Sequence, residues 1–341
     1  MNVGSALIAG PAPRPQMIVE AVRQALTRAG LERANGLVLM LSREFGRLAG
    51  QAVLAAARTA GCLQVTGATA DGVFTEAGWA LDQPAVAALA LGGNLALAPV
   101  GDGPKLCFAD GAASTDWFQF PRIGLLHGGQ SWNHARLATD GRSECAVVGA
   151  SATCAVSSGL KSLGEINTVT AVRGFDVLRL GEQSVVDNLL RALPADLRMR
   201  TRLPIHLLAA LPEGRTDIPA IPLLSANADG SVTFGQPLAE GDTFAWGARQ
   251  PLTAENDMRE VLADAALRLS STPDFGIQFS CIGRGPLFYN GDDRDLAAWR
   301  TQFPDVPLIG AYGSGQLAPA GESSRQWQNA VVSALYCRNH V

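Results

Sequence analysis

Two side chains that can do chemistry follow an apolar run near the C-terminus. Cys281 ends the run 276–281, which predicts a buried strand, and Arg284 follows where the chain must turn. A guanidinium at such a turn can face a cleft and hold a ligand carboxylate through two parallel hydrogen bonds. The alternative is that Arg284 binds carbonyl groups at the strand end and that Cys281 belongs to the core.

Two glycine-rich turns offer a second kind of binding surface. The first spans residues 67–72 and the second residues 310–315. Glycines expose backbone N–H groups and allow a ligand to approach closely. The turn residues that could contact such a ligand are Gly67, Asp71, Tyr312, Ser314, Gly315 and Gln316. The alternative is that the glycines only permit positive φ angles or tight packing between sheets.

Haem or metal binding would have to use the few histidines or a thiolate. The histidines are His127, His134, His206 and His340. His127 is the best placed, because it lies between an apolar strand and two glycines. The chain has no HExxH or CxxC motif, so we expect no metal and no resident cofactor, with haem on His127 as the open alternative.

Catalysis would need a nucleophile with an oriented base. Cys281 or a serine of the pair Ser157-Ser158 could be combined with His127, but the chain has no GxSxG elbow. We therefore predict no catalytic residues and a protein that is not an enzyme. A hydrolase that uses Cys281 stays as a lesser alternative.

Composition excludes two classes of partner. The net charge of −4 and the presence of only two lysines, Lys105 and Lys161, give no basic field for nucleic acid or anionic lipid. The most apolar run, residues 84–100, is interrupted by Gly92, Gly93 and Asn94 and is too short to span a bilayer. The N-terminus lacks the features of a signal peptide, so we expect a cytoplasmic protein.

The elements that position these residues follow from hydrophobic periodicity. The first quarter predicts strand 3–9, helix 16–29, strand 37–41, helix 47–60 and strands 63–69 and 85–91. The middle, residues 110–181, is punctuated by glycine and mostly predicts sheet. The last part predicts helices 182–193, 257–269 and 292–302, with strands at 276–281 and 307–312.

An internal repeat relates the two ends of the chain. Residues 67, 72 and 78 are glycines, and so are residues 310, 315 and 321, with the same spacing. One duplicated β-α-β-turn-β unit explains this match, and by analogy with 85–91 it makes residues 330–337 a strand. We predict an α+β fold with two pseudo-duplicated lobes of mixed or antiparallel sheet and outer helices, for which an αββα sandwich is one layering.

Several segments resemble one family. FSCIGRGPLFYN (279–290) followed by VPLIGAYGSGQLAP (306–319) resembles the end of a FIST C domain, and SGLKSLGEINTVTAVRGFDVLRLGEQSVVDNLL (158–190) is similar to its upstream pattern. In the first half, GCLQVTGATADGVF (61–74) resembles a turn of the FIST N domain. The resemblance implies a FIST N-like lobe over 1–180 and a FIST C-like lobe over 181–341.

The resemblance to FIST, the F-box and intracellular signal transduction domain, also implies a function. It implies a cytoplasmic sensory module for a small ligand, such as an amino acid or small carboxylate, bound in a cleft between the lobes. A separate protein, such as a histidine kinase or a cyclic-dinucleotide enzyme, would receive the signal. Some members bind haem and sense nitric oxide. The acidic residue that commonly follows the turn glycine is replaced here by Val73 and Gln316.

Overall fold

The computed structural model describes residues 2–200, 202–214, 219–269 and 271–339, so His340 lies outside the described residues. These residues form 25 strands and six α-helices. The chain folds into two compact units, which we call the sandwich unit and the barrel unit. The sandwich unit contains the described residues of Met1–Ser157 and Met258–Val341, and the barrel unit those of Ser158–Asp257. The boundary at residue 180 concerns the halves of the family resemblance and stays a prediction.

The elements follow one another in this order. Up to Ser157 they are β1 (Val3–Ala9), α1 (Pro15–Ala29), β2 (Gly36–Ser42), α2 (Ala49–Ala60), β3 (Val65–Ala70), β4 (Gly72–Thr75), β5 (Gly78–Leu81), β6 (Ala85–Leu91), β7 (Ala96–Ala98), β8 (Lys105–Ala109), β9 (Arg122–Leu126), β10 (Ser131–Asn133), β11 (Arg136–Leu137), β12 (Arg142–Val148) and β13 (Ala150–Ser157). The rest are β14 (Leu160–Arg173), β15 (Asp176–Leu180), β16 (Gln183–Ser184), α3 (Val185–Ala192), α4 (Ala195–Arg198), β17 (Leu208–Pro212), β18 (Ile221–Ala226), β19 (Val232–Phe234), β20 (Thr243–Arg249), α5 (Pro251–Leu267), β21 (Phe275–Cys281), α6 (Arg294–Gln302), β22 (Leu308–Gly313), β23 (Gly315–Ala320), β24 (Ser323–Trp327) and β25 (Val331–Arg338). Short 3₁₀ helices span Arg43–Leu48, Thr115–Phe118 and Ile205–Leu207.

Two sheets of the sandwich unit repeat one topology. Sheet 1 has the order β1-β6-β2-β3-β10-β11, and sheet 2 has the order β13-β25-β21-β22-β4-β5. In each sheet the first three strands form two antiparallel pairs, and the next pair is parallel. The parallel pair is β2 with β3 in sheet 1 and β21 with β22 in sheet 2. A helix connects each parallel pair, as a crossover requires. The repeat is what a duplicated unit would produce.

The sandwich unit has αββα layers. In β2, Val38 and Met40 face a core shared with sheet 2, whereas Leu37, Leu39 and Leu41 face α1 and α2. On the other side, α6 and the part of α5 from Met258 pack on the outer face of sheet 2. The predicted α+β class, with mixed sheets and outer helices, is confirmed.

A third sheet and a barrel complete the described fold. The third sheet, β24-β23-β9-β8-β12-β7, adds side chains to the core between sheets 1 and 2. In the barrel unit the strands follow the order β14-β20-β17-β18-β19-β15-β16. Because β14 also pairs with β15, six of these strands close into a barrel. Closure removes the unpaired sheet edges.

Local signals set the ends of the helices. Pro15 is the first residue of α1, where its missing N–H has no helical partner to lose. Gly30 and Gly61 end α1 and α2 in the left-handed conformation that glycine adopts without strain. Asp293 caps α6, because its side chain accepts a hydrogen bond from the Leu296 N–H. None of the helices in the described residues has the length and hydropathy of a membrane span.

Candidate functional site

The two glycine-rich segments predicted as turns are mostly strand, because β3 and β4 contain all of residues 67–72 except Asp71, and β22 and β23 contain all of residues 310–315 except Ser314. The two turns are thus short, and although they are far apart in the chain they meet in the sandwich unit. The Asp71 N–H donates a hydrogen bond of 3.0 Å to the Tyr312 carbonyl, and β4 pairs with β22 so that Gly72 lies opposite Tyr312. We call the contact of residues 69–72 with residues 310–315 the turn junction. It lies at the carboxyl end of β3, which is parallel to β2, and at the carboxyl end of β22, which is parallel to β21.

A third turn and one histidine border the turn junction. The Ile282 N–H donates to the Gly313 carbonyl at 2.9 Å, which holds the turn after β21 against β22. A Cβ placed on Gly285 would lie 3.1 Å from Tyr312, and one on Gly315 would lie 3.3 Å from the ring of His127. The structure therefore gathers most of the predicted site residues in one region.

Gly67 is the exception among the predicted site residues. It lies inside β3 at φ 150°, and a Cβ there would fall 1.8 Å from the carbonyl oxygen of Leu39 in β2. That distance leaves no room for any side chain. Positive φ, one of the alternatives considered for the turn glycines, applies here, while the close packing is against a strand of the same sheet and not against another sheet. A ligand role for Gly67 stays a prediction.

Arg284 lies in a buried ion-pair cluster. Its guanidinium is fully buried and donates to Asp295 Oδ1 at 2.8 Å, while Tyr289 donates its hydroxyl to the same oxygen at 2.8 Å. Arg284 also donates to the carbonyl of Ser157, the last residue of β13, at 3.4 Å. The Ser157 contact is the strand-end role that was the alternative to ligand binding, whereas the ion pair with Asp295 was not expected. A ligand role for Arg284 stays a prediction.

A second buried acid joins the same cluster. Tyr312 donates its hydroxyl to Asp293, and burial raises the pKa of the Asp293 carboxyl. Burial also raises the pKa of Asp295, to about 6, although the Arg284 charge opposes the change. Arg284, Tyr289, Asp293, Asp295 and Tyr312 are called the buried cluster below. It ties the end of β22 to the start of α6.

The other predicted contacts divide between interior and surface. Gln316 is fully buried, and its side-chain amide donates to the Gly313 carbonyl at 3.1 Å. Cys281 is buried and donates to Asn329 Oδ1 at 3.7 Å. Ser314 is exposed, and Asp71 is largely buried but forms an ion pair with exposed Arg43. Only Asp71 and Ser314 thus bring polar side chains from the predicted set towards solvent.

A groove adjoins the Arg43–Asp71 ion pair. It has a volume of about 650 Å³, and we call it the arginine groove after its two guanidinium groups. Its lining residues are Pro13, Arg43, Glu44, Gly46, Arg47, Leu48 and Gln130. The carbonyl of Gln130 accepts a hydrogen bond from the Thr69 N–H at 2.9 Å, which fixes that wall to the turn junction.

Comparison with known proteins matches a segment in the second half of the chain to a family. The family model of the FIST C domain matches residues 184–319. The chain carries a FIST C domain. This match indicates a sensory domain of signal transduction. The match includes Arg284, Tyr312, Ser314 and Gln316, so the buried cluster belongs to the FIST C domain, while Asp71 and the arginine groove lie outside the matched segment. The FIST N-like half stays a prediction.

Mycobacterial proteins are similar to this FIST C domain protein. Uncharacterized proteins MT0656 of Mycobacterium tuberculosis (strain CDC 1551 / Oshkosh) and Rv0628c of strain ATCC 25618 / H37Rv are each 27% identical over 212 residues, 58% of this chain and 55% of theirs. Uncharacterized protein Mb0898c of Mycobacterium bovis (strain ATCC BAA-935 / AF2122/97) is 25% identical over 173 residues, 48% of this chain and 45% of its own. The chain spans about half the length of the curated relatives it matches.

The haem hypothesis rests on His127, outside the FIST C match. His127 is exposed at the end of β9, with a positive φ of 52°. An axial ligand of haem faces an apolar slot that encloses the ring. The exposed imidazole does not fit that requirement. Among the described residues, no three His, Cys, Asp or Glu side chains form a group that could hold a metal ion.

Sequence reasoning missed several residues of this region. Arg43 directly follows β2, which is the same kind of position that drew attention to Arg284 after β21, so this signal could have found it. Asp293 and Asp295 stand at the start of a predicted helix, where acidic residues are common for reasons unrelated to ion pairs. Nothing in their spacing indicated Arg284 as a partner.

The buried cluster of the FIST C domain makes stability depend on pH. Because the pKa of Asp293 is raised in the folded state, its contribution to stability is present at low pH and is lost as pH rises. Asp293→Asn removes this titration and keeps an oxygen to cap α6. We expect the stability of wild type relative to the variant to fall as pH rises above about 4, the ordinary pKa of an aspartate.

Urea unfolding across this pH range measures the difference. Asp292→Asn, which makes the same chemical change at an exposed neighbouring position, is the matched control. A wild-type advantage that grows with pH would contradict the raised pKa.

Proposed function

We propose that this chain is a small-ligand sensor that binds a small carboxylate, such as an amino acid, at the turn junction and passes the signal to a separate protein. The hydrogen bond between the Asp71 N–H and the Tyr312 carbonyl carries the proposal. It brings together one turn from each copy of the repeated topology, and so joins the carboxyl ends of two parallel strand pairs. The FIST C match supports a sensory role.

The location follows a general property of sheets that contain parallel strands. Ligands commonly bind outside the carboxyl ends of such strands, where loops diverge and leave a crevice. The arginine groove opens at the carboxyl end of β2, and its volume of about 650 Å³ lies within the usual range of small-molecule sites. A metabolite of amino-acid size therefore has room beside the turn junction.

The side chains of the groove favour a carboxylate. Arg43 and Arg47 are exposed guanidinium groups, and a planar guanidinium matches the two oxygens of a carboxylate. Within the described residues Arg47 has no ion pair, whereas Arg43 is paired with Asp71. A bound carboxylate would compete with Asp71 for Arg43. Glu44 and Asp71 offer negative charge for an ammonium group, which favours amino acids over simple acids.

The buried residues would transmit occupancy rather than contact the ligand. Tyr312 belongs to the turn junction and is bonded to Asp293 at the start of α6, so a shift of the turn acts on that helix. Arg284, Cys281, Gly315 and Gln316 hold the neighbouring turns. A ligand that binds one arrangement of these turns more tightly shifts the population and thereby the affinity for a partner.

A reducing, cytoplasmic location belongs to the same proposal. All six cysteines lie in the described residues, and none of them forms a disulfide there. Free thiols are typical of proteins kept in a reducing compartment. A kinase or a cyclic-dinucleotide enzyme in that compartment is the kind of partner that the family resemblance implies.

A thermal-shift screen tests the ligand class. Amino acids and small carboxylates are added to the purified chain, and a true ligand at about 100 times its Kd should raise the melting temperature by roughly 5 °C. The double variant Arg43→Ala/Arg47→Ala should lose this shift, which is measured from the ligand-free melting temperature of the variant because the change also removes the Arg43–Asp71 ion pair.

Controls separate the alternatives. Arg14→Ala, at an exposed position before α1, should keep the ligand shift. An unchanged shift in the double variant would remove the groove from the proposal. A Soret band with added hemin that is lost in His127→Ala would favour the haem sensor instead.

A further inference from the structure

A second groove lies at the amino ends of β2 and β3, opposite the ends that adjoin the arginine groove and the turn junction. We call it the basic groove; it opens beside Asn35 and Gln64, which directly precede β2 and β3, and has a volume of about 880 Å³. Its lining residues are Arg33, Ala34, Asn35, Leu54, Ala57, Arg58, Gly61, Cys62, Leu63, Gln64, Ala96 and His134. Strand β2 has seven residues, so the two grooves are separated by about 20 Å of sheet.

The charge of the basic groove is opposite to that of the chain. The net charge is −4, yet the described lining residues include Arg33 and Arg58 and no Asp or Glu. Neither guanidinium forms a hydrogen bond or an ion pair with another described residue. Two uncompensated guanidinium groups in one concave surface attract carboxylates.

Apolar side chains flank these charges. Leu54 is 51% exposed and Leu63 is 61% exposed, and both line the groove. A lone exposed leucine is ordinary, but two on the walls of a basic groove form a mixed surface that matches an amphipathic segment. A groove of this size also exceeds what one carboxylate group would fill.

We infer that the basic groove docks an acidic segment of a partner protein, with carboxylates at Arg33 and Arg58 and apolar side chains against Leu54 and Leu63. A concave surface favours a protein segment over a lipid bilayer, because a flat bilayer contacts protruding side chains. The inference does not rest on the proposed ligand, since the groove is formed without it.

Fluorescence anisotropy with a defined peptide tests the inference. The probe is a labelled peptide of about 14 residues built from Glu, Leu and Ala, with Leu at helical i, i+3 and i+4 spacing. Its control has Gln in place of every Glu. We expect the acidic probe to bind the wild-type chain at least roughly tenfold more tightly than the control, and less tightly as salt is raised.

Variants locate the binding. Arg33→Glu/Arg58→Glu should weaken the acidic probe by roughly tenfold or more, and Leu63→Ser should weaken it to a smaller degree. Arg14→Glu makes one charge reversal at an exposed site elsewhere and should leave the affinity unchanged. Circular dichroism and melting temperature confirm that each variant is folded.

Three outcomes would overturn the inference. These are equal binding of the Gln control, full affinity in Arg33→Glu/Arg58→Glu, and binding of anionic phosphatidylserine vesicles without binding of the peptide. Repeating the titration with Arg43→Ala/Arg47→Ala keeps the two sites apart. Peptide affinity should be unchanged in that variant, and a wild-type chain that binds the peptide but shows no ligand shift would contradict the proposed function alone.

Discussion

Asp295→Asn is expected to lower the free energy of unfolding by about 3 to 5 kcal/mol. The change leaves the Arg284 guanidinium fully buried and removes the negative charge that lies 2.8 Å from it. The guanidinium can neither reach water nor lose its proton at neutral pH. The buried charge therefore loses its direct carboxylate partner, which is among the most destabilising results of a single substitution.

The measurement is urea unfolding followed by tryptophan fluorescence at about pH 8, well above the raised pKa of Asp295, so that the wild-type carboxyl is ionised. Asp292→Asn makes the same chemical change at an exposed position and should alter stability by less than about 0.5 kcal/mol. A loss of under 1 kcal/mol for Asp295→Asn would show that the pair is not a buried ion pair.

A double variant separates the charge from the packing. Arg284→Met/Asp295→Leu removes both charges and keeps apolar volume, so it should recover most of the lost stability. Tyr289 then loses an acceptor for its hydroxyl, which sets a residual loss of about 1 to 3 kcal/mol. If the double variant is as unstable as Asp295→Asn, lost packing rather than charge explains the effect.

Local structure was largely predictable because its signals are local. The apolar runs 3–9 and 85–91 match β1 and β6, since a strand buried on both faces shows as a continuous apolar segment. The helices end at Gly30 and Gly61, where glycine adopts the left-handed conformation. The spacing of the turn glycines also predicted the repeat, because Gly67 and Gly310 occupy the third positions of β3 and β22.

Pairing between distant strands was not predictable. The hairpin of β4 and β5 follows β3 in the chain, yet it joins sheet 2 beside β22 instead of staying in sheet 1. Likewise, β13 and β14 adjoin in sequence but belong to different compact units. Both segments are β-rich, so composition gives no sign of the boundary between them.

The site shows the same division between local and distant information. The residue types at the strand ends were recognised from the chain alone, as with Arg284 and Tyr312. Their partners were not, because Asp295 and Asp293 meet them only once α6 packs on sheet 2. A guanidinium that could equally bind a ligand is thus engaged by a carboxylate of its own chain. The arginine groove depends on a 3₁₀ helix after β2 that periodicity does not reveal.

Gly67→Ala is expected to destabilise the fold by about 3 kcal/mol or more, because a methyl group has no space there. Its Cβ would fall 1.8 Å from the carbonyl oxygen of Leu39, and a backbone atom cannot move aside without separating β2 from β3. The φ of 150° adds strain for any residue with a side chain. Yield of folded protein and the urea midpoint measure the effect.

Gly103→Ala and Gly310→Ala are the controls for this result. Gly103 has open space around its Cβ position, so its substitution should be neutral. At Gly310, the equivalent position in the second copy, a Cβ would meet the ring of Phe74 at 2.1 Å and the Gln278 carbonyl oxygen at 2.6 Å, so the backbone obstacle lies farther away than at Gly67, and φ is not positive there. Gly67→Ala should therefore be the more damaging of the two. A stable Gly67→Ala protein that has lost only its ligand shift would instead assign Gly67 to ligand binding, because packing would then not require the glycine.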